Sequence, residues 1–303
     1  GAVIGHDGRE DARPFTETAQ VGLRLEALAE ITAVKREKQA AIVHDWQNKW
    51  ALEGSCGPRN AGMGYWDELK RHYNALAREG IAVEFVDQNA DLTGYGLVVV
   101  PMLYLLTDAF AKKLCAFAQN GGTVIVTYWS GVVDESDLCR LGDTPYGLTE
   151  LLGLRRTEID GMYDGETRRC MPVDGCTLPA AQASTLCEVA ALDEKDPAEP
   201  LSLYDEDFFA GHPAAAVHRY GKGRAYYLAS RFDEAFYRAF YHDAAMEIGL
   251  SPAWPEALPE GVLAVRRGSF VFVQNCTEQP VTVGNTVLER YRTAVWKGKD
   301  RIF

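Results

Sequence analysis

The 303 residues contain no phosphate loop, no C-x-x-C pair, no G-x-S-x-G turn and no catalytic triad arranged in sequence. No apolar run reaches the roughly 18–20 residues that cross a bilayer. The opening GAVIGHDGRED has neither a basic n-region nor a long apolar h-region, so it does not read as a signal peptide. Basic charge is scarce: 31 Lys and Arg face 43 Asp and Glu, a net charge of −12. That balance argues against partners such as nucleic acid or an anionic membrane, which are held by basic patches. The seven cysteines are odd in number and scattered, which favours reduced thiols in a cytoplasmic protein over a disulfide framework. Cys170 and Cys176, the nearest pair, have no histidine close by in sequence, so neither a metal nor another cofactor is expected.

What is present is an ordinary globular composition, 47% hydrophobic and 24% charged, long enough for one to three domains. Gly1–Ile4 is a short strand-like piece followed by the turn-rich HDGRED, and Phe15 to about Ile31 reads as an amphipathic helix. A lone strand and helix have no core of their own and need something else to pack on. From Ala40 the pattern alternates. Ala40–His44, Ile81–Val86, Leu97–Pro101 (LVVVP) and Thr123–Tyr128 (TVIVTY) read as strands, the last two as central parallel ones. Met63–Arg78 and Thr107–Gln119 read as helices, with Thr107 as an N-cap. This alternation predicts an α/β fold with a parallel sheet covered by helices on both faces. Leu151–Pro200 has poor periodicity and reads as excursions from the core. Ala215–Tyr220 and Arg224–Ala229 flank a GKG turn as a β-hairpin, and Phe232–Ile248 is a closing helix. Prolines 252, 255 and 259 mark a linker, after which short alternating strands (VLAVRRG, SFVFVQN, PVTVGN, RTAVWKG) predict a small antiparallel β domain.

Candidate chemistry is sparse. The first predicted strand ends in His44-Asp45-Trp46, with Trp50 one helical turn on, at the place where open parallel sheets bind ligands. A carboxylate beside two tryptophans suits a sugar contact; structural use or burial against another subunit is the favoured reading, since Trp is enriched at interfaces. The βαβ run resembles the fold of class I glutamine amidotransferases, which carry a nucleophilic cysteine on the turn after a central strand. Here TVIVTY leads into Trp129-Ser130-Gly131, with no cysteine; Ser130 is the one alternative nucleophile at that turn. GKGRAYYLAS lacks the spacing of a phosphate loop, and Asp205, Glu206 and Asp207 read as a solvated loop.

Taken in order, GAVIGHDGREDARPFTETAQVG, AIVHDWQNKWALE, LVVVPMLYLLTD, NGGTVIVTYWSGVVDESD and PAAAVHRYGKGRAYYLAS resemble the carboxyl-terminal part of family 42 glycoside hydrolases, the microbial β-galactosidases. In the first segment Gly5 replaces the proline of a Pro-His-Ala-Gly-like barrel turn, while His6 and Gly8 hold their places. The resemblance implies that residues 1–37 end a TIM barrel and 38–250 form an amidotransferase-like (flavodoxin-like) trimerisation domain. It makes 251–260 a linker and 261–303 a small β domain. It also implies that the two catalytic glutamates, and with them the galactoside substrate, belong to barrel strands upstream of this sequence. The chain is thus expected to be inactive alone and to assemble as a trimer. His6, Asp45, Trp46 and Trp50 are the candidate ligand or interface residues. The alternative is a stand-alone degenerate amidotransferase-like module that binds a carbohydrate or other small ligand.

Overall fold

The computed structural model describes residues 3–35, 37–55, 57–59, 62–298 and 300–302. After an irregular start come helix α1 (Arg13–Ala27) and a 3-10 turn (Ala29–Ala33). Then follow β1 (Ala40–Val43), α2 (Trp46–Gly54), α3 (Tyr65–Arg78), β2 (Val83–Val86), β3 (Leu97–Val100), α4 (Asp108–Gln119) and β4 (Thr123–Thr127). These four strands are parallel, in the spatial order β4-β3-β1-β2. Phe85, Ile42, Val99 and Ile125 lie side by side across them. The side chains of β1, β3 and β4 are buried on both faces, as their unbroken apolar sequences require. Each fully buried Val, Leu or Ile contributes roughly 1.5–3 kcal/mol. The crossovers β1–α3–β2 and β3–α4–β4 run in opposite directions along the sheet, and since such connections are right-handed as a rule, α3 and α4 belong on opposite faces. The Thr107 hydroxyl accepts the Phe110 N–H at 3.2 Å, capping α4 as its position predicted.

The second half enlarges the same sheet. α5 (Thr149–Leu152), β5 (Leu154–Gly161), β6 (Thr167–Pro172), β7 (Ala181–Leu192), β8 (Glu199–Tyr204), β9 (Pro213–Tyr220), β10 (Gly223–Leu228) and β11 (Ser230–Arg231) precede α6 (Glu234–Ile248). The sheet has eleven strands in the order β11-β7-β6-β8-β9-β10-β4-β3-β1-β2, with β5 also on β7. β10 is parallel to β4 and antiparallel to β9, which makes the predicted hairpin the junction between a parallel and an antiparallel half. The sheet is therefore mixed and not purely parallel. Residues 151–200 are no excursion: β5 to β8 carry the antiparallel half. Their pattern is faint because β5 and β6 are largely solvated and because β7 pairs with three strands, two of the pairings broken by register shifts.

β12 (Val262–Arg267), β13 (Phe270–Asn275), β14 (Val281–Val283), β15 (Thr286–Leu288), β16 (Thr293–Lys297) and β17 (Asp300–Arg301) form a four-stranded antiparallel sheet, β12-β13-β16-β17, and a separate hairpin, β14-β15. They share a small core that includes Val262, Val273, Val283 and Leu288, with Trp254 set edge-on to Trp296 at 5.0 Å. Of the strand expected at Gly1–Ile4, Gly1 and Ala2 lie outside the described residues, and Val3 and Ile4 form a bend, with no strand among the described residues beside them to offer partners. Helix α1 forms, but none of its residues is buried and Val21, Leu23 and Leu25 face solvent. The segment after it is tied to the small sheet by Lys297 Nζ to Glu30 at 2.5 Å and by Arg267 to the Val34 carbonyl at 3.4 Å.

Candidate functional site

The end of β1 turns directly into α2, and Asp45 makes the turn. Its Oδ1 accepts the N–H groups of Gln47 (2.8 Å) and Asn48 (3.4 Å), an N-cap worth about 1 kcal/mol. Its Oδ2 accepts Gln88 Nε2 at 3.1 Å. Asp45 is thus committed to the fold through both oxygens. With the cap in place, Trp46 and Trp50 fall one turn apart on the same side of α2, ring centroids 6.2 Å apart. Tertiary packing adds residues the sequence did not single out. Trp66, at the start of α3, stands edge-on to Trp46 at 6.0 Å, and His44 stacks on Trp66 at 4.7 Å and meets Trp46 edge-on at 5.1 Å. Lys49 Nζ lies 5.7 Å from the Trp46 ring centroid. Burial lowers the His44 pKa, with Asp45 partly opposing the shift, and its Nε2 has no hydrogen-bond partner among the described residues. Trp46, Trp50 and Trp66 remain 53%, 61% and 42% exposed. Among the described residues, His6 sits in an exposed turn and takes part in none of these ring contacts. The structure brings together three of the four predicted residues and leaves the fourth apart.

The crevice at the strand ends, where a doubly wound sheet would take a small ligand, is occupied by the chain itself. Asn48 is fully buried: its Nδ2 donates to the Met102 carbonyl (3.1 Å) and its Oδ1 accepts the Leu105 N–H (2.9 Å). Gln88 donates to the Leu105 carbonyl (3.2 Å) and accepts the Thr107 N–H (3.0 Å). These amides seal the gap between β1 and β3.

The turn after β4, which carries Ser130, is closed as well. Ser130 is fully buried and its Oγ accepts the Leu103 N–H at 3.0 Å, so the hydroxyl is a structural acceptor with no access to substrate. Trp129 takes a left-handed φ of 58° there and donates its N–H to Glu188 Oε1 at 2.9 Å. Glu188 is itself buried against Arg156 at 2.6 Å and the Tyr227 hydroxyl. A second buried carboxylate, Glu68, meets Arg231 Nε at 2.8 Å, the Tyr237 hydroxyl at 2.7 Å and His72 Nε2 at 3.2 Å. Burial alone would raise the Glu68 pKa; contacts with His72, Arg231 and Tyr237 outweigh it and hold the value at about 2. Both acids are sealed and counter-charged, an arrangement for holding a fold together and not for passing protons to a ligand.

Among the described residues, Trp46, Trp50 and Trp66 form a group of exposed aromatic side chains packed on one another at this end of the sheet. The family pattern described as "Beta-galactosidase trimerisation domain" matches residues 38–251, which contain that group. The chain belongs to the family 42 β-galactosidases. Within that family, β-galactosidase BglY of Alicyclobacillus acidocaldarius is 43% identical over 286 residues, covering 92% of this chain and 41% of its own length. Pbg of Clostridium perfringens is 34% identical over 290 residues, 93% of this chain and 42% of its own. Among solved structures, the β-galactosidase of Rahnella sp. R3 superposes with a TM-score of 0.91 at 38% identity, covering 97% of this chain and 46% of that one. The family 42 enzyme Gan42B superposes with a TM-score of 0.87 at 31% identity. The chain spans less than half the length of these relatives and corresponds to their carboxyl-terminal part. No helix among the described residues is long and apolar enough to cross a membrane.

Proposed function

We propose that this chain is the assembly module of a family 42 β-galactosidase, joining copies into a trimer through the exposed tryptophan surface. The single observation that carries the reading is that surface: three large aromatics, half exposed, packed on one another on a rigid helical base, within the segment matched by the trimerisation pattern. Exposed Trp is costly to leave in water and is a usual anchor of protein contacts. In this reading residues 1–37 end a barrel, 38–250 form an amidotransferase-like assembly domain, 251–260 a linker and 261–303 a β domain. The hydrolysis of β-galactosides belongs to the parent enzyme, and the protein works in the cytoplasm. The sealed crevice and the buried Ser130 weigh against the alternative of a small-ligand module.

Sedimentation of the purified chain at several concentrations tests the assembly. A concentration-dependent trimer is expected, weakened at least tenfold by Trp46→Ala. A strict monomer at high concentration refutes self-association, and a trimer indifferent to Trp46→Ala removes the tryptophans as its anchor. Turnover of a chromogenic β-galactoside by the repurified chain, near the rate of an intact enzyme, would refute the non-catalytic role.

A further inference from the structure

A three-fold ring cannot be built from one patch that meets its own copy. It needs two different, complementary patches on each chain. The tryptophan group supplies one. A candidate for the second is the loop that follows β4, where Leu138 and Leu141 stand close together in sequence and are 65% and 92% exposed.

This loop is a fixed structure. Asp134 Oδ1 accepts the N–H groups of Ser136 (2.8 Å) and Leu138 (3.1 Å), and the Asp134 N–H donates to the Leu138 carbonyl at 2.9 Å. Arg140, between the two leucines, turns inward. It donates to the Leu106 carbonyl at 3.2 Å, pairs with Asp108 at 2.8 Å and lies 4.4 Å from the centre of the Tyr146 ring. Asp134 and Arg140 thus hold the loop that carries two leucines out in water. A preordered loop loses little conformational entropy when those leucines are covered.

The two patches are also correctly placed. The tryptophans follow the carboxyl end of β1 and the leucines follow that of β4, with β3 alone between them, so the strands that launch them lie about 10 Å apart. Asn48 ties α2 to Met102 and Leu105, and Leu105 bridges to Val133 at the root of the leucine loop. Both patches therefore flank one end of the sheet. Turning that end to a common axis in three copies would set the leucine loop of each toward the next copy.

From this placement we infer that Leu138 and Leu141 of one copy dock on Trp46, Trp50 and Trp66 of the next, closing the ring head to tail. The inference rests on the assembly reading above and adds the partner surface to it.

Paired cysteines test it, in a Cys139→Ser background because Cys139 is exposed in the same loop. Leu141→Cys combined with Trp50→Cys is expected to give, on mild oxidation, covalent species that end at the trimer, while neither single substitution cross-links. A covalent dimer from Leu141→Cys alone would show a self-matched contact and overturn the pairing. So would a double variant that does not cross-link while the parent chain sediments as a trimer. A charge pair provides a check independent of disulfide geometry. Leu141→Lys and Trp50→Glu should each weaken association at least tenfold, and together restore it to within about threefold of the parent; no restoration counts against the contact. A parent chain that stays monomeric at every concentration removes the assembly reading itself, a result distinct from a trimer that ignores these substitutions.

Discussion

Arg231 Nε lies 2.8 Å from Glu68 Oε2, a buried ion pair that joins the last strand of the mixed sheet to helix α3. The same guanidinium donates from Nη2 to the carbonyls of Met63 and Gly64, the two residues that lead into α3. Trp66 stands on the first turn of that helix. The pair therefore sets where α3 begins, and with it the position of one wall of the tryptophan surface.

Removing one partner strands the other in the interior, so Arg231→Met and Glu68→Gln are each expected to lower stability by about 3–5 kcal/mol. Urea unfolding checks the size. Glu68 also fixes a pH dependence. Its pKa falls from 4.5 to about 2 on folding, so its stabilisation is complete above 4.5 and is lost as pH falls from there toward 2. The loss is on the order of 3 kcal/mol. Unfolding measured between pH 5 and 2 should be steeper in the parent than in Glu68→Gln; parallel curves would contradict the assignment.

Asn48→Ala leaves the Leu105 N–H without a partner in a sealed interior and strips the Met102 carbonyl of one of its two donors, the Tyr104 N–H remaining, at a cost of about 1–3 kcal/mol. Asn48→Asp keeps the acceptor but removes the donor and introduces a buried charge, so it should be no better. Thermal unfolding of the two variants decides this.

A Cβ at Gly223 would sit 2.1 Å from the Gly122 carbonyl oxygen and 2.5 Å from that of Ala118, both backbone atoms that cannot step aside. Gly223→Ala is expected to lose at least about 2 kcal/mol by forcing the hairpin off α4. Gly165→Ala has open space around it and only its φ of +83° to pay in strain, about 1 kcal/mol. The difference in denaturation midpoints between the two variants is the measurement.

Each copy carries a net charge of −12, so copies repel one another while the contact surfaces proposed for them are apolar. Self-association is expected to strengthen several-fold between about 20 and 200 mM salt, as the screening length shortens. Association that weakens over that range would point to an interface held by ion pairs.

The parallel strands were legible because burial on both faces demands unbroken apolar runs: AAIV, LVVV and TVIVT announce themselves without any knowledge of their neighbours. Thr107 and the GKG hairpin were legible for a similar reason, since a cap and a tight turn are decided within a few residues. The tryptophans of α2 could be picked out by type and by spacing of four. Trp66 could not, because only the packing of α3 beside β1 brings it to them. The antiparallel half stayed hidden because its strands draw their partners from as far away as β11 on β7, and half-solvated edges need little apolar sequence.

Sequence alone settled the central strands, the caps and the order of segments that marks the family, all of which depend on local geometry or on burial from every side. Tertiary structure decided the rest. It filled the strand-end crevice with Asn48 and Gln88, buried Ser130 and counter-charged Glu68 and Glu188. It left the tryptophans and the two leucines as the surfaces set outward at one end of the sheet. Those outcomes rest on contacts between residues far apart in the chain, and a one-dimensional pattern carries no record of which distant groups will meet.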